Sequence, residues 1–187
     1  GRPMPGVEIR LMDEAGLQVE TGQSGEVQLR SGAPGRAMIA REYFNRPDAN
    51  AEAYKGGWFR TGDVGRFDED GYLHLVDRVK DMILSGGLNV YSREVEQALE
   101  TAPAVREVAV VAGADEEYGE CVVAYVALKP GQAATADELI AHCRDYIAGY
   151  KKPKYLFFLD DLPRNVNGKV VKATLRESAA GDIAGAD

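Results

Sequence analysis

The sequence changes character at residues 77–96, and this change divides the chain into two parts. Before this stretch, short alternating apolar runs separated by turns predict hairpins without a long helix. After it, helix and strand patterns are mixed. The stretch contains the pair Gly86-Gly87, whose backbone bends freely. An amphipathic pattern then predicts a helix at 93–101 with Ser92 as its N-cap. We interpret residues 77–96 as a junction between two domains.

The predicted fold class is α+β. A small β-barrel or hairpin subdomain is expected over residues 1–76, and a compact α+β domain over residues 77–177. In the second domain, residues 121–128 are apolar throughout, which predicts a central strand. The last residues, 178–187, are small and polar and are predicted to be a disordered tail.

Two further helices are predicted in the second part. Thr135 and Glu138 have the spacing of a capping box, which predicts a helix that starts there and continues to residue 148. Residues 171–177 predict a last short helix, which follows a loop with an Asn-Gly turn at residues 165–169.

Composition excludes several classes of protein. The chain has 187 residues, 45% hydrophobic and 28% charged, as in ordinary globular domains. Its net charge of −8 argues against nucleic-acid binding. No apolar run approaches a transmembrane span, and there is no signal-peptide pattern. Nothing in the pattern indicates an oligomeric state.

The cysteines and histidines do not have the spacing of a metal site. Cys121 and Cys143 each lie in an apolar pattern, which favours buried, reduced thiols and a cytoplasmic location. His74 and His142 lie far apart in the sequence without nearby ligands. We therefore predict no metal site within this chain.

Positive charge is concentrated near the carboxyl end. Residues 150–177 contain seven basic and three acidic side chains, although the chain as a whole is acidic. Such a surplus indicates either an anion site or a solvated basic face, and composition alone favours the solvated face.

Three motifs carry a family resemblance in their order and spacing. They are Trp58-Phe59-Arg60-Thr61-Gly62-Asp63, the junction at residues 77–96, and Leu162-Pro163-Arg164 followed by Asn167-Gly168-Lys169. Together they resemble the C-terminal third of AMP-forming acyl-CoA synthetases, members of the adenylate-forming superfamily. The resemblance covers nearly the whole chain. It implies that a carboxylic acid, for which a fatty acid is the first expectation, attacks ATP to give acyl-AMP, and that the thiol of CoA then displaces AMP.

The resemblance also implies roles for single residues at the nucleotide. Asp63 is expected to bind the ribose hydroxyls of ATP, with Arg78 as its partner on the same edge. Considered alone, Asp63 is more typical of a turn. Lys80 matches the hinge about which the small domain rotates. Lys169 matches the adenylation lysine, whose ammonium relieves charge repulsion during attack on the phosphate.

A second set of residues is expected to meet CoA. Gly86 and Gly87 match the face that replaces Lys169 after rotation, where a narrow thiol arm passes close to the backbone. Tyr118 is expected near the CoA adenine. Lys151 and Lys152 are expected to contact the CoA phosphates, which would explain the surplus of positive charge at residues 150–177.

Other family motifs are not found in this chain. The Ser/Thr/Gly-rich phosphate loop is not among its residues, and neither is the segment expected to hold adenine and Mg²⁺. Because the chain starts at Gly1 rather than at methionine, we expect such segments to precede it. The hypothesis is therefore that residues 1–187 alone do not form acyl-AMP.

Two alternatives share these residues. An adenylation domain that loads a carrier protein would use the same catalytic residues with a protein-borne thiol, and the lysine pair argues mildly for free CoA. A non-catalytic nucleotide- or partner-binding module is the other alternative. The presence together of Asp63, Arg78 and Lys169 argues against it.

Overall fold

The structure is a computed structural model that describes residues 1–32 and 38–186. The chain divides into two compact units, Gly1–Lys80 and Asp81–Asp187, which we call the N-terminal and C-terminal units. The predicted division after residue 76 lies a few residues before this one. Each unit contains one five-stranded sheet, which gives the mixed α and β structure that the sequence predicts.

The N-terminal unit is an antiparallel sheet with one short helix among its described residues. Its elements in chain order are β1 (Val7–Met12), β2 (Ser24–Ser31), α1 (Pro47–Ala53), β3 (Tyr54–Lys55), β4 (Trp58–Phe67) and β5 (Leu73–Arg78). The strand order is β1-β2-β4-β3, and β5 also pairs with β4. Strands β4 and β5 form a hairpin, as the alternating pattern of this part of the chain predicts.

The core of this unit is small. Leu11, Val27, Trp58 and Val64 are its buried apolar residues among those described. Trp58, the only tryptophan, lies between the guanidinium groups of Arg10 and Arg30, which are 4.2 and 4.4 Å from its ring. Trp58 is therefore a core residue of this unit.

The C-terminal unit is a sheet with helices on both faces. Its elements are β6 (Ile83–Ser85), β7 (Leu88–Val90), α2 (Ser92–Glu100), β8 (Val105–Asp115), β9 (Gly119–Leu128), α3 (Ala136–Cys143), β10 (Tyr155–Phe158) and α4 (Lys172–Ala184). Strand β9 pairs antiparallel with β8, parallel with β10, and with β6 at Gly119. The predicted central strand at residues 121–128 is confirmed.

Burial on both faces explains why residues 121–128 of β9 are apolar throughout. Val122, Ala124 and Val126 belong to the core beneath α2 and α3. Cys121, Val123 and Tyr125 alternate with them and belong to the core on the side of α4. Since both faces are covered by helices, no position in this strand needs a polar side chain.

The helix that contains Glu96 connects these layers through a buried carboxylate. One oxygen of Glu96 accepts the backbone N–H of Val110 in β8 at 3.0 Å, and the same oxygen lies 2.6 Å from the ammonium of Lys172. Lys172 also donates to the hydroxyl of Ser92 at 2.8 Å. The prediction that Ser92 is the N-cap is wrong, because Tyr91 holds that position and Ser92 begins the helix.

The prediction of a disordered tail at residues 178–187 is also wrong for most of that segment. Helix α4 continues to Ala184, with Ala179 buried and Ile183 packed against the core on its side of the sheet. The phenol of Tyr125 donates to the carboxylate of Asp182 at 2.6 Å. Burial, and then this bond, raise the pKa of Tyr125. These contacts compensate for the entropy of ordering the segment; residue 187 lies outside the described residues.

Helix α3 is shorter than predicted. The capping box of Thr135 and Glu138 is present, which confirms the predicted start. The helix ends at Cys143 instead of continuing to residue 148, because the amides of Arg144 and Asp145 bond to carbonyls three residues back, in tighter turns. Cys143 is fully buried, as predicted, and burial raises the pKa of its thiol to about 11.

We predict that removal of the Glu96 carboxylate destabilises the C-terminal unit. Glu96→Ala leaves the Val110 amide without its acceptor and the largely buried Lys172 ammonium without its carboxylate, which costs about 3 kcal/mol of unfolding free energy. Urea unfolding followed by far-UV circular dichroism measures this loss.

Two controls accompany this measurement. Glu100→Ala removes a half-exposed carboxylate paired with Arg93 and is expected to cost less than about 1 kcal/mol. Fluorescence of Trp58 reports on the N-terminal unit, and the urea midpoint that it gives is expected to be the same in both variants as in wild type. If Glu96→Ala unfolds at the same urea concentration as Glu100→Ala, the connecting role of Glu96 is contradicted.

Candidate functional site

Asp63 and Arg78 lie opposite each other on paired strands of the N-terminal unit. They are register partners in β4 and β5, and the Arg78 Nε lies 3.3 Å from the Asp63 carboxylate. Thr61 supports this position, since its hydroxyl donates to the Val27 carbonyl at 2.9 Å and accepts the Asp63 amide at 3.0 Å. Both side chains reach solvent, at 31% for Asp63 and 62% for Arg78. A carboxylate beside guanidinium donors fits a pair of vicinal hydroxyls.

Arg78 and Lys80 also line an open cavity of about 690 Å³ in the N-terminal unit. Its walls include Thr61, Gly62 and Arg60. The Arg60 Nε is bound to the Glu26 carboxylate at 2.7 Å. The cavity therefore adjoins the strand end that carries Arg78 and the residue expected to be the hinge.

The residues around Lys80 are held on both sides. Arg78 is the last residue of β5 and pairs with Asp63, while Asp81 accepts a bond from Arg176 of α4 at 3.2 Å. The short turn Val79–Asp81 joins them, and the division between the units falls directly after Lys80. A change in backbone angles between two fixed residues is what a hinge requires.

Lys169 lies at the end of a tight turn in the C-terminal unit. Asn165 donates its amide to the Lys169 carbonyl at 2.9 Å, and the Asn165 side-chain oxygen accepts the Lys169 amide at 3.0 Å. Gly168 adopts a positive φ of 77°, which the turn requires. Lys169 is exposed, so its long side chain projects from a hydrogen-bonded turn.

The basic surplus near the carboxyl end is mostly paired within the C-terminal unit. Five of its seven cations have carboxylate partners: Lys151 with Glu94, Lys154 with Asp115, Arg164 with Glu107, Lys172 with Glu96 and Arg176 with Asp81. Among the residues described for this unit, Lys152 and Lys169 have no such partner. The surplus is therefore neither a uniform anion site nor a uniformly solvated face.

A cavity of about 460 Å³ in the C-terminal unit brings together three of the residues expected to meet CoA. Gly86, Tyr118 and Lys152 line it, together with Tyr150 and Lys154. Lys151 is not brought there. Its ammonium lies 2.7 Å from each oxygen of Glu94, in the first turn of α2.

Gly86 and Gly87 form the turn of a hairpin between β6 and β7, which the sequence reading did not predict. Both have positive φ, 57° and 80°. Gly86 donates its amide to the Tyr118 carbonyl at 3.0 Å, and a Cβ at Gly86 would lie 3.0 Å from the Tyr118 ring. Glycine is therefore required by backbone angle and by the close approach of Tyr118.

Asp115 fixes the loop that carries Tyr118. One carboxylate oxygen accepts the amides of Glu117 and Tyr118, each at 3.0 Å, and the other lies 2.6 Å from the Lys154 ammonium. The hydrogen bond from Lys154, followed by that from the Tyr118 amide, lowers the pKa of Asp115. The bond to Asp115 in turn raises the pKa of Lys154.

Sequence reasoning missed Asp115, Lys154 and Asn165 as supporting residues. Asp115 and Asn165 each begin a short polar turn, and both residue types bond to amides two or more residues ahead. That signal was available for both. No local sequence signal identifies the partner of Lys154, because Asp115 is 39 residues away in the sequence.

Neither a metal-binding cluster nor a membrane-spanning helix is found among the described residues. No group of three His, Cys, Asp or Glu side chains in residues 1–32 and 38–186 could hold a metal ion. No helix in the same residues combines the length and apolar composition needed to cross a membrane.

Comparisons with known proteins give the same family across the chain. Residues 94–169 match the AMP-binding enzyme C-terminal domain. The chain is 41% identical over 177 residues to the long-chain-fatty-acid–CoA ligase of Yersinia pestis, covering 95% of this chain and 30% of that ligase. It is 41% identical over 184 residues to a fatty acid–[acyl-carrier-protein] ligase of Streptomyces coeruleorubidus, covering 98% of this chain and 34% of that ligase.

A solved structure with a bound intermediate is similar as well. The o-succinylbenzoate CoA synthetase of Bacillus subtilis, in complex with its acyl-adenylate intermediate, matches with a TM-score of 0.84 at 36% identity. The match covers 94% of this chain and 35% of that one. The chain thus spans about a third of the length of the relatives it matches.

The fold and these matches define the class of protein as adenylate-forming enzymes. This chain corresponds to a C-terminal portion of such enzymes, and its residues 94–169 match the AMP-binding enzyme C-terminal domain.

We predict that the ion pair of Asp115 makes stability depend on pH in the acid range. Because the folded-state pKa is lowered, the stabilisation is present above the unfolded pKa of about 4 and is lost as pH falls through the folded value. Asp115→Asn should therefore lower the urea midpoint at pH 7, and this difference should shrink as the pH falls below about 4.

Glu116→Gln is the matched control, since it removes an adjacent exposed carboxylate that has no part in this ion pair. A difference between wild type and Asp115→Asn that is constant from neutral to acid pH would exclude the ion pair as its source.

Proposed function

We propose that the chain is part of an AMP-forming acyl-CoA ligase, which activates a carboxylic acid as acyl-AMP and transfers it to CoA. One observation carries the proposal: in a segment where most cations are paired, Lys152 and Lys169 lack carboxylate partners among the residues described for their unit. Ammonium groups without internal partners remain available for the phosphates of a substrate.

In the first half-reaction, the acid oxygen bonds to the α-phosphorus of ATP and the bond to pyrophosphate breaks. Asp63 accepts hydrogen bonds from the ribose hydroxyls, and Arg78 donates at the same edge. Lys169 approaches the reacting oxygens, where its charge offsets the repulsion between carboxylate and phosphate. The exposed position of Lys169 on a defined turn supports this role.

In the second half-reaction, the thiol sulfur of CoA bonds to the acyl carbon and the bond from that carbon to AMP breaks. We propose that rotation about Lys80 exchanges Lys169 for the hairpin of Gly86 and Gly87. Residues without side chains leave room for the thiol arm beside this hairpin. Tyr118 and Lys152 line the adjoining cavity, where an aromatic ring and an ammonium suit the adenine and a phosphate of CoA.

Lys152, rather than Lys151, is the lysine that we assign to CoA. The Lys151 ammonium is committed to Glu94, and its side chain is 18% exposed. Its contribution is therefore to hold residues 150–152 against the first turn of α2. From the sequence, both lysines were expected to contact the CoA phosphates. We now assign this contact to Lys152 alone.

The acid and the acceptor are inferred from relatives. Fatty acids are named in both curated relatives described above, so a fatty acid is the substrate class that we propose. A carrier protein is the alternative acceptor, because one of these relatives is a fatty acid–[acyl-carrier-protein] ligase. A non-catalytic binding module is disfavoured by the exposed Asp63–Arg78 pair together with the available Lys169.

We predict that Lys169→Ala separates the two half-reactions. In the complete gene product, acyl-AMP formation should fall at least about 100-fold, because a positioned charge at the transferring phosphate is lost. Thioester formation from supplied acyl-AMP should change little. ATP–pyrophosphate exchange and a thiol-release assay measure the two steps.

Residues 1–187 alone provide a control, and they are expected to show no exchange. If Lys169→Ala leaves acyl-AMP formation intact, Lys169 has no part in the mechanism; strong exchange by residues 1–187 alone would overturn the proposal that they are inactive.

We also predict that the two adjacent lysines differ in their effects. Lys152→Ala should raise the KM for CoA about tenfold, because it removes a charge-assisted contact with phosphate. Lys151→Ala should mainly lower the thermal midpoint, since Glu94 loses its partner. Initial rates with CoA and with a phosphopantetheine-bearing carrier protein distinguish the acceptors. A larger KM effect for Lys151→Ala than for Lys152→Ala would reverse the assignment.

A further inference from the structure

The side chain of Asn165 bonds to two backbone amides of the turn that carries Lys169. The Asn165 side-chain oxygen accepts the amides of both Asn167 and Lys169, each at 3.0 Å. The Asn165 backbone also binds the turn, since its amide donates to the Lys169 carbonyl at 2.9 Å and its carbonyl accepts the Gly168 amide at 2.9 Å. Both backbone polar groups of Lys169 are therefore bonded to Asn165.

The turn is connected to the sheet by the preceding residue. Arg164 donates to the Gly168 carbonyl at 2.6 Å, and its other terminal nitrogen is bound to the carboxylate of Glu107 in β8. The backbone of the turn is thus linked to strand β8 of the sheet through a charged side chain.

Packing does not hold this turn. Residues 165–169 are exposed, and Val166 at the tip is fully exposed, so the turn buries no apolar side chain of its own. Its conformation therefore depends on the hydrogen bonds of Asn165 and Arg164. Without these hydrogen bonds, the backbone of the turn would adopt many conformations. The Lys169 ammonium would then be spread over more positions than its side-chain rotamers alone allow.

We infer that Asn165 is a positioning residue for the adenylation step, because it fixes the backbone from which the Lys169 ammonium reaches the nucleotide. The inference rests on the proposed function. Asn165 touches no reacting atom and acts only through Lys169. It should therefore affect the half-reaction that uses Lys169 and leave the other one unchanged.

The test uses variants of the complete gene product. Asn165→Ala removes the side-chain acceptor, and we expect the kcat of acyl-AMP formation to fall about tenfold with little change in the KM for ATP. Asn165→Asp keeps an oxygen in the accepting position and should restore most of that loss. Val166→Ala, at the exposed tip without a contact in the turn, should match wild type.

Two further measurements distinguish positioning from general damage. Thioester formation from supplied acyl-AMP should stay within about twofold of wild type for Asn165→Ala. Asn165→Ala should also have no further effect in a Lys169→Ala background, because a residue that acts through Lys169 has nothing left to position.

The inference is overturned if Asn165→Ala slows both half-reactions equally, if Asn165→Asp fails to restore the first, or if Val166→Ala slows it as much. Failure of the proposed function gives a different result. If Lys169→Ala itself leaves acyl-AMP formation intact, both proposals fail, whereas loss with Lys169→Ala and none with Asn165→Ala contradicts the positioning role alone.

Discussion

The buried carboxylate of Glu96 is the interaction on which the C-terminal unit depends. It accepts the amide of Val110 in the sheet and the ammonium of Lys172 at the start of α4, while its own helix covers the opposite face. A carboxylate that is 5% exposed is stable only when such partners satisfy it. The three layers of the unit are therefore connected through one polar group as well as through their apolar cores.

We propose that the C-terminal unit serves both half-reactions, and the ion pair of Glu96 is relevant to this proposal. Helix α2 follows the hairpin of Gly86 and Gly87, and Lys172 lies three residues after Lys169. The contact between Glu96 and Lys172 thus joins the segments that carry the two proposed functional faces. Such a unit can present one face or the other by rotating as a body, without rearrangement of its interior.

Charge pairing decides which residues remain available for a substrate. Lys151 and Lys152 are neighbours with the same side chain, yet the first is bound to Glu94 and the second lines the cavity beside Tyr118. A lysine that is engaged with an internal carboxylate must lose that pair before it can meet a phosphate, whereas an unpaired lysine loses nothing. Of the seven basic residues at positions 150–177, Lys152 and Lys169 therefore remain as candidate contacts for the phosphates of a substrate.

The sequence by itself determined the apolar run in β9 and the capped start of α3, because these depend on local pattern and spacing. Tertiary structure alone decided the length of α4, whose small residues become a buried face only against Tyr125 and its neighbours. It also decided the partners of Lys151, Lys154 and Lys172, which are separated from their carboxylates by 39 residues or more. Pairing over such distances follows from the meeting of elements in the fold, which no local pattern contains.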